Sequence, residues 1–157
     1  TVLQTVYHFP ATTALQANSL AIVFLSLGCI ISGALADRFG AGRVFVVGST
    51  LLLLSSWTFY HSLFNHPDWL FPMYSLTGLL VGTIGAVPYV MVKAFPAVVR
   101  FSGLSFSYNL AYAIFGGLTP MVVTLLLKES QMGPAYYVAI ICGVGIIVGG
   151  YLWKKGR

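Results

Sequence analysis

The polar side chains best able to bind a small solute are concentrated in one otherwise apolar stretch, Ser102 to Leu127. Ser105, Asn109 and Tyr112 share a helical face because they are spaced by three and four residues, and Tyr108 adjoins that face. Their hydroxyl and amide groups can hold a polar molecule through hydrogen bonds. An amide in hydrocarbon costs several kcal/mol unless it finds partners, so we expect Asn109 to face protein or water. Two roles stay open for it, a hydrogen bond between helices and direct contact with a solute.

A second set of candidates lies in the stretch Leu70 to Val92. Tyr74 and Tyr89 lie at the two ends of one helical stripe, and the positions between them are glycines, Gly78, Gly82 and Gly85. The steps along this stripe are four, four, three and four residues, so all five positions share one face of a helix. Such a stripe leaves space for a ligand or for another backbone, and close packing of helices is the favoured interpretation. The two tyrosines and Thr77 are candidates for lining a solute cavity, and the tyrosine rings also suit the aromatic belts at a membrane surface.

Prolines and paired glycines mark the points where these two helices could bend. Pro88 lies inside the second stretch, and an interior proline removes one hydrogen bond of the helix. We therefore expect a bend near Pro88 that serves as a gate. Gly116, Gly117 and Pro120 extend the polar face of Asn109 and are the matching hinge candidates in the other helix.

The composition shows which elements must position these residues. Hydrophobic residues make up 58% of the 157 residues, only 7% are charged and the mean hydropathy is +0.89, whereas about a quarter of residues are charged in a soluble domain. We predict an all-α, polytopic transmembrane bundle that forms a single domain over residues 1–157, with five spans of bilayer length. Spans two and five carry few polar side chains and are expected to be peripheral. The predicted spans are Leu15–Ala36, Val44–Tyr60, Leu70–Val92, Ser102–Leu127 and Ala135–Trp153.

The few charges are distributed unevenly between the loops. Loops that alternation places on one side of the membrane carry seven of the eight Lys and Arg side chains, and only Lys128 lies opposite. Positive charge concentrates in cytoplasmic loops, so we expect an external N-terminus and a cytoplasmic C-terminus. Topology therefore explains the net charge of +5 without any binding of nucleic acid. The seven side chains are Arg38, Arg43, Lys93, Arg100, Lys154, Lys155 and Arg157.

Carboxylate and histidine side chains are absent from the middle of every predicted span. They fall at span ends or in loops, and they are Asp37, Asp68, Glu129, His8, His61 and His66. We therefore expect any proton-carrying acid of the intact protein to lie outside this sequence. No Lys or Arg stands at mid-span to pair with an anion, although Lys93 and Arg100 could attract an anion near the cytoplasmic end.

The sequence contains no recognisable catalytic motif. It lacks the zinc-protease, phosphate-loop, hydrolase-elbow and dinucleotide signatures, and it lacks the Cys or His spacing of a metal site. Cys29 and Cys142 lie inside predicted spans, where we expect them to act as small buried apolar residues. We predict no enzyme, no bound metal and no organic cofactor.

The glycine-rich stretch GALADRFGAGR, residues 33–43, joins the first two predicted spans and carries both acid and base. It resembles the signature loop of the major facilitator superfamily, with the pattern G-x-L-x-D-R-x-G. Ala41 and Gly42 stand where that family usually has two basic residues, and Arg43 follows one position later. The matching residues are Gly33, Leu35, Asp37, Arg38 and Gly40.

The resemblance implies a role for each of these residues in a conformational latch. Gly33 would permit close approach of a helix, and Gly40 would permit a tight turn at positive φ. Asp37 would pair with Arg38 or with a helix N-terminus of the opposing half of the transporter. Such contacts would form in one conformational state and break in the other.

Two further stretches narrow the resemblance to one branch of that family. FPAVVRFSGLSFSYNLAYAIFGGLTP, residues 95–120, is similar to the tenth and eleventh helices of the metabolite:proton symporters, which include proline/betaine, α-ketoglutarate, citrate and shikimate transporters. MGPAYY, residues 132–137, resembles the opening of their last helix. The five spans would then be helices eight to twelve of a twelve-helix protein, and the chain a fragment that lacks helix seven and the N-terminal half.

The resemblance implies secondary active transport of a small polar metabolite, coupled to H⁺, by rocking alternating access in a bacterial inner membrane. The substrate would be a zwitterionic osmolyte such as proline or betaine, or an organic acid, and the missing cation at mid-span favours the zwitterion slightly. Expected partners are the lipid bilayer, the substrate, the missing N-terminal half and a second copy of the chain in a homodimer. The alternatives are a non-transporting membrane scaffold or receptor and a drug:proton antiporter.

Overall fold

The computed structural model describes residues 2–155 of the chain. Five helical segments are long and apolar enough to cross a membrane, as predicted, and no strand occurs in the described residues. Each segment extends slightly beyond the stretch that predicted it, because the helices continue into the flanking polar residues. Arg157 lies outside the described part. Spans one to five are Ala11–Phe39, Ala41–Asn65, Pro67–Ala94, Arg100–Glu129 and Gly133–Lys155.

The residues before the first span pack onto one end of the bundle. A short helix, Val2–Thr5, precedes a turn, and Leu3 joins a buried cluster with residues of spans one, two and three. The Tyr7 hydroxyl donates to the Tyr60 carbonyl over 3.1 Å. Burial, and secondarily the neighbouring Tyr60, raises the pKa of Tyr7 to about 12, so this phenol stays a neutral donor at physiological pH.

Spans one and three pack backbone against backbone through small residues. A Cβ atom added to Gly82 would lie 2.5 Å from the Cα atom of Gly28, and one added to Gly78 would lie 2.5 Å from the Ala21 carbonyl oxygen. The buried Ser32 hydroxyl donates to the Gly82 carbonyl over 2.6 Å. The favoured interpretation of the glycine stripe is therefore confirmed, because span one fills the space that a ligand could have used.

Span two lies between span five and the pair formed by spans one and three. Gly42 and Gly149 meet across the contact with span five, and the Ser55 and Thr77 hydroxyls share a hydrogen bond of 2.9 Å with span three. Trp57 adds an edge-to-face contact with Tyr136 at 5.7 Å between ring centroids. Its serines and glycines let three helices approach span two, while Val47, Leu51 and Leu54 leave an apolar side of the helix exposed. The expectation that span two is peripheral stays a prediction.

Spans three and four both change pitch near a proline. Span three is an α-helix over Leu70–Val81, a 3₁₀-helix over Gly82–Ala86 and an α-helix again over Val87–Ala94. Span four is α-helical over Arg100–Ala111, widens to a π-helix over Tyr112–Gly116 and continues as an α-helix over Gly117–Glu129. A proline has no N–H for the carbonyl four residues earlier, so each change of pitch accommodates a missing hydrogen bond.

Span four is the least packed helix of the described chain. Its backbone comes close only to span five and to the nearby end of span three, and none of its residues is buried. A hydrogen bond of 2.6 Å between the Thr119 and Tyr137 hydroxyls ties it to span five. The polar face predicted for this span is therefore open along most of its length.

Candidate functional site

The candidate solute face is the polar side of span four around Asn109. The Asn109 Nδ2 atom donates to the Ser105 carbonyl over 2.8 Å and lies 3.3 Å from the Ser105 hydroxyl oxygen. Both partners belong to the same helix, so the structure provides no interhelical hydrogen bond for this amide within residues 2–155. Asn109 and Ser105 are exposed, and the amide oxygen of Asn109 points to no partner in the described chain. This atom is free to accept from a solute or from another protein surface.

Two tyrosines continue this face into the widened turn. The rings of Tyr108 and Tyr112 are stacked, with centroids 5.0 Å apart and an angle of 29° between their planes. Tyr112 begins the π-helix and is 57% exposed. A Cβ atom added to Gly116 or Gly117 would meet no atom within 4 Å, so this part of the helix has open space around it. π-turns are frequent at functional sites because they reorient side chains within a helix.

Two of the span-three candidates, Thr77 and Tyr74, have partners elsewhere in the fold, whereas Tyr89 lines a cavity beside Lys93. The Thr77 hydroxyl is engaged by Ser55 and by the carbonyl of its own helix at Met73. Tyr74 stacks on Phe59 at 5.3 Å and donates to the Asn18 amide oxygen over 3.3 Å. The structure does not bring these residues together with span four, since the α-helical parts that carry Thr77 and Asn109 make no contact. The sequence pattern could not show this, because it locates residues on a face but does not say what covers the face.

The signature turn has the backbone that the resemblance implied for Gly40. This glycine has φ of +86°, ends span one and precedes span two directly. Asp37 is exposed and has no hydrogen bond or ion pair within the described chain. A Cβ atom added to Gly33 would meet nothing within 4 Å, so no helix of residues 2–155 approaches it. The close approach on span one occurs at Gly28 instead, and the latch partners of this turn stay a prediction.

Three cations meet in a cleft at the same end of the bundle. Arg43 from the start of span two, Lys93 from the end of span three and Lys155 from the end of span five line a cavity of about 470 Å³. Arg100 is directed elsewhere, because its Nε atom donates to the Phe95 carbonyl over 3.3 Å. The sequence placed these charges on one side of the membrane but gave no sign that they share one cavity.

No metal site accompanies these features in residues 2–155. The described part of the chain contains no group of three or more His, Cys, Asp or Glu residues that could hold an ion. Cys142 is buried in span five, and Cys29 is partly buried against span three. Away from the ends of the spans, the hydrogen-bonding side chains of the described residues are mainly hydroxyls and amides, which carry no charge.

The fold and the open polar face define a polytopic integral membrane protein, and comparison with curated proteins gives its relatives. The chain is 32% identical over 130 residues to the citrate-proton symporter of Klebsiella pneumoniae, covering 80% of this chain and 29% of the relative. It is 28% identical over 152 residues to a protein of Staphylococcus aureus provisionally named as a proline/betaine transporter, covering 94% and 33%. It is 28% identical over 145 residues to the inner membrane metabolite transport protein YhjE of Escherichia coli, covering 88% and 32%.

These relatives agree with the family indicated by the signature turn and by residues 95–120. The chain is related to proteins named as proton symporters and metabolite transporters, in agreement with the resemblance of its signature turn to the major facilitator superfamily. It spans about a third of the length of these curated relatives, which are named as symporters or transporters and not as enzymes. No family model matches the chain, and no solved structure matches it significantly.

Proposed function

We propose that this chain is part of a secondary active transporter that moves a small polar metabolite across the bacterial inner membrane by rocking alternating access. In this proposal its spans are helices eight to twelve of a twelve-helix protein, and the other half completes the solute site. Support comes from the similarity to named transporters over 80% to 94% of the chain, one of which is named as an inner membrane protein.

The observation that carries the proposal is the uncovered polar face of span four. Asn109 and Ser105 are exposed, and the hydrogen bonds between them leave the Asn109 amide oxygen without a partner in the described chain. Tyr112, beside them, is 57% exposed. Unpaired amide and hydroxyl groups in hydrocarbon cost several kcal/mol, which disfavours contact of this face with lipid tails. A water-filled pathway shared with the opposing half satisfies these groups, and it also provides the surface that a polar solute needs.

Two classes of substrate fit this proposal. The described residues place no Lys or Arg at the middle of a span, which favours a zwitterion such as proline or betaine over an anion that needs a paired cation. Relatives named as citrate-proton symporters favour an organic acid instead. Those names also support H⁺ as the coupling ion. Because Asp37, Asp68 and Glu129 lie at span ends, the acidic side chain that carries the proton then belongs to the other half of the protein.

The proposed orientation follows from the clustering of positive charge. Arg43, Lys93 and Lys155 come from different spans yet line one cleft, so they lie at the same membrane surface. Positive charge concentrates on the cytoplasmic side, which supports an orientation with this surface in the cytoplasm and the N-terminal residues outside. The signature turn then lies on the cytoplasmic face, where the opposing half can reach Asp37.

Uptake by the full-length natural protein in proteoliposomes tests the proposal. An inward proton gradient should drive accumulation of labelled proline, betaine or citrate, and a protonophore should abolish it. If a pH gradient drives none of these solutes, proton-coupled metabolite transport is rejected. Inhibition by hydrophobic cations, without inhibition by unlabelled metabolites, would point instead to a drug:proton antiporter.

A further inference from the structure

The basic cleft at the cytoplasmic end carries positive charge that no acidic side chain offsets. Its walls come from the signature turn and from the ends of spans three and five, and they include Arg43, Lys93 and Lys155 but no Asp or Glu. Asp37 is the nearest carboxylate along the turn and is not part of the lining. The cleft therefore attracts an anion at the level of the membrane surface.

Aromatic rings hold these three cations without neutralising them. The Lys93 ammonium lies 4.1 Å from the centre of the Tyr89 ring, and the Lys155 ammonium lies 5.8 Å from the centre of the Tyr151 ring. The Arg43 guanidinium lies 5.7 Å from the centre of a Trp153 ring. The Lys93 ammonium also donates a hydrogen bond to the Tyr89 hydroxyl. Cation–π contacts and this one hydrogen bond orient the charged groups and leave their remaining N–H donors available.

An apolar groove adjoins the basic cleft along spans one, two and three. It has a volume of about 320 Å³, and aliphatic side chains such as Leu35, Val47 and Leu79 line it. Phe39 and Arg43 belong to the linings of both cavities, so the groove continues from the cleft towards the middle of the membrane. A ligand that fills both cavities has an anionic head and a hydrocarbon tail.

We propose that this composite site binds an anionic phospholipid, with its phosphate among the three cations and one acyl chain in the apolar groove. Basic pockets between spans on the cytoplasmic side suit such headgroups, and each Lys or Arg near the surface strengthens the attraction. A free phosphate matches only the cleft and leaves the groove unused. Binding is a property of this end of the fold and does not depend on the proposed transport function.

Lipid retention by the full-length protein tests the headgroup half of the proposal. The protein is placed in nanodiscs of phosphatidylcholine and phosphatidylglycerol, re-extracted in mild detergent, and its retained lipids are counted by mass spectrometry. The K93Q/K155Q variant should bind phosphatidylglycerol more weakly by about fivefold for each cation removed. Lys154→Gln is the matched control, because Lys154 is exposed on the same helix end and lies outside the cleft.

A second pair of variants tests the acyl-chain half. Val47→Trp should fill the groove and lower phosphatidylglycerol retention, whereas Val148→Trp, at an exposed position of span five outside the groove, should not. The proposal is overturned if retention is equal for the two lipids, or if Lys154→Gln acts as strongly as the double variant. It is also overturned if inorganic phosphate displaces the lipid and Val47→Trp has no effect, which would describe a free-anion site. Circular dichroism of each variant excludes loss of fold as the cause.

Discussion

Spans one and three pack backbone against backbone, whereas span four makes few contacts with the rest of the described chain. In the tight pair, glycines meet backbone atoms, and Ser32 donates a buried hydrogen bond to the facing carbonyl of Gly82. In span four, Gly116 and Gly117 face open space and Asn109 is exposed. Glycine therefore has different roles in two helices of one bundle. In span three it lets another backbone approach closely, and in span four it leaves open space beside the helix.

The same contrast appears in how each helix accommodates its proline. Next to Pro88 the helix tightens, the Val87 N–H donates to the Ile84 carbonyl, and span one covers the turn. Next to Pro120 the helix widens over residues 112–116, and no other span covers it. A tight, covered turn resists movement, while a wide and uncovered one can change shape, so we infer that span four is the moving part.

The largest effect should come from overfilling the tight pair. Gly82→Leu places a side chain where the backbone of Gly28 already lies, and overpacking of this kind costs about 3 kcal/mol. We expect little folded protein after heating in detergent, measured by fluorescence-detected size exclusion. Gly143→Leu is the control because a Cβ atom there meets nothing within 4 Å. Equal losses for the two variants would contradict the packing account.

The next effect should appear in transport and leave stability unchanged. Asn109→Ala removes an exposed amide from the open face and should lower uptake about tenfold, the cost of one hydrogen bond made to a bound solute. Thr124→Ala is the control, since this exposed hydroxyl bonds only to the Pro120 carbonyl in the same span. If Asn109→Ala lowers the melting temperature and spares uptake, its partner is another helix and the scaffold interpretation gains support.

A smaller effect should follow from removing one hydroxyl from the tight pair. Ser32→Ala deletes the buried hydrogen bond to Gly82 and should lower the free energy of unfolding by about 1 kcal/mol. Ser26→Ala, at an exposed position of the same span whose hydroxyl bonds to the Ile22 carbonyl, should have almost no effect. Thermal denaturation of the two variants in one detergent gives the comparison, and a larger loss for Ser26→Ala would refute it.

The smallest effect on stability should come from straightening span four. Pro120→Ala restores an N–H for the Gly116 carbonyl, so we expect the π-turn to revert towards an α-helix and uptake to slow. The distance between spin labels at positions 104 and 125 measures the change. Pro72→Ala is the control, because Pro72 lies in the first turn of its α-helix, where no helical hydrogen bond is lost. An unchanged distance for Pro120→Ala would show that the proline does not cause the turn.

Features that depend on a local stretch of chain could be predicted from the sequence. Five spans follow from the length and composition of each apolar segment, because hydrocarbon accepts only helices whose backbone groups are satisfied internally. The positive φ of Gly40 follows from the short turn between two helices. The polar face of span four follows from the helical period, since Ser105, Asn109 and Tyr112 lie on one side of any helix.

Features that depend on which faces meet were decided by the tertiary structure alone. The helical period shows which residues share a face of a span, but an apolar face can lie against lipid or against another helix. The contacts of span two with three helices and the hydrogen bond between Thr77 and Ser55 could therefore not be predicted from the sequence. The basic cleft is the clearest case. Arg43, Lys93 and Lys155 are far apart along the chain, and only the packing of spans two, three and five brings their charges to one cavity.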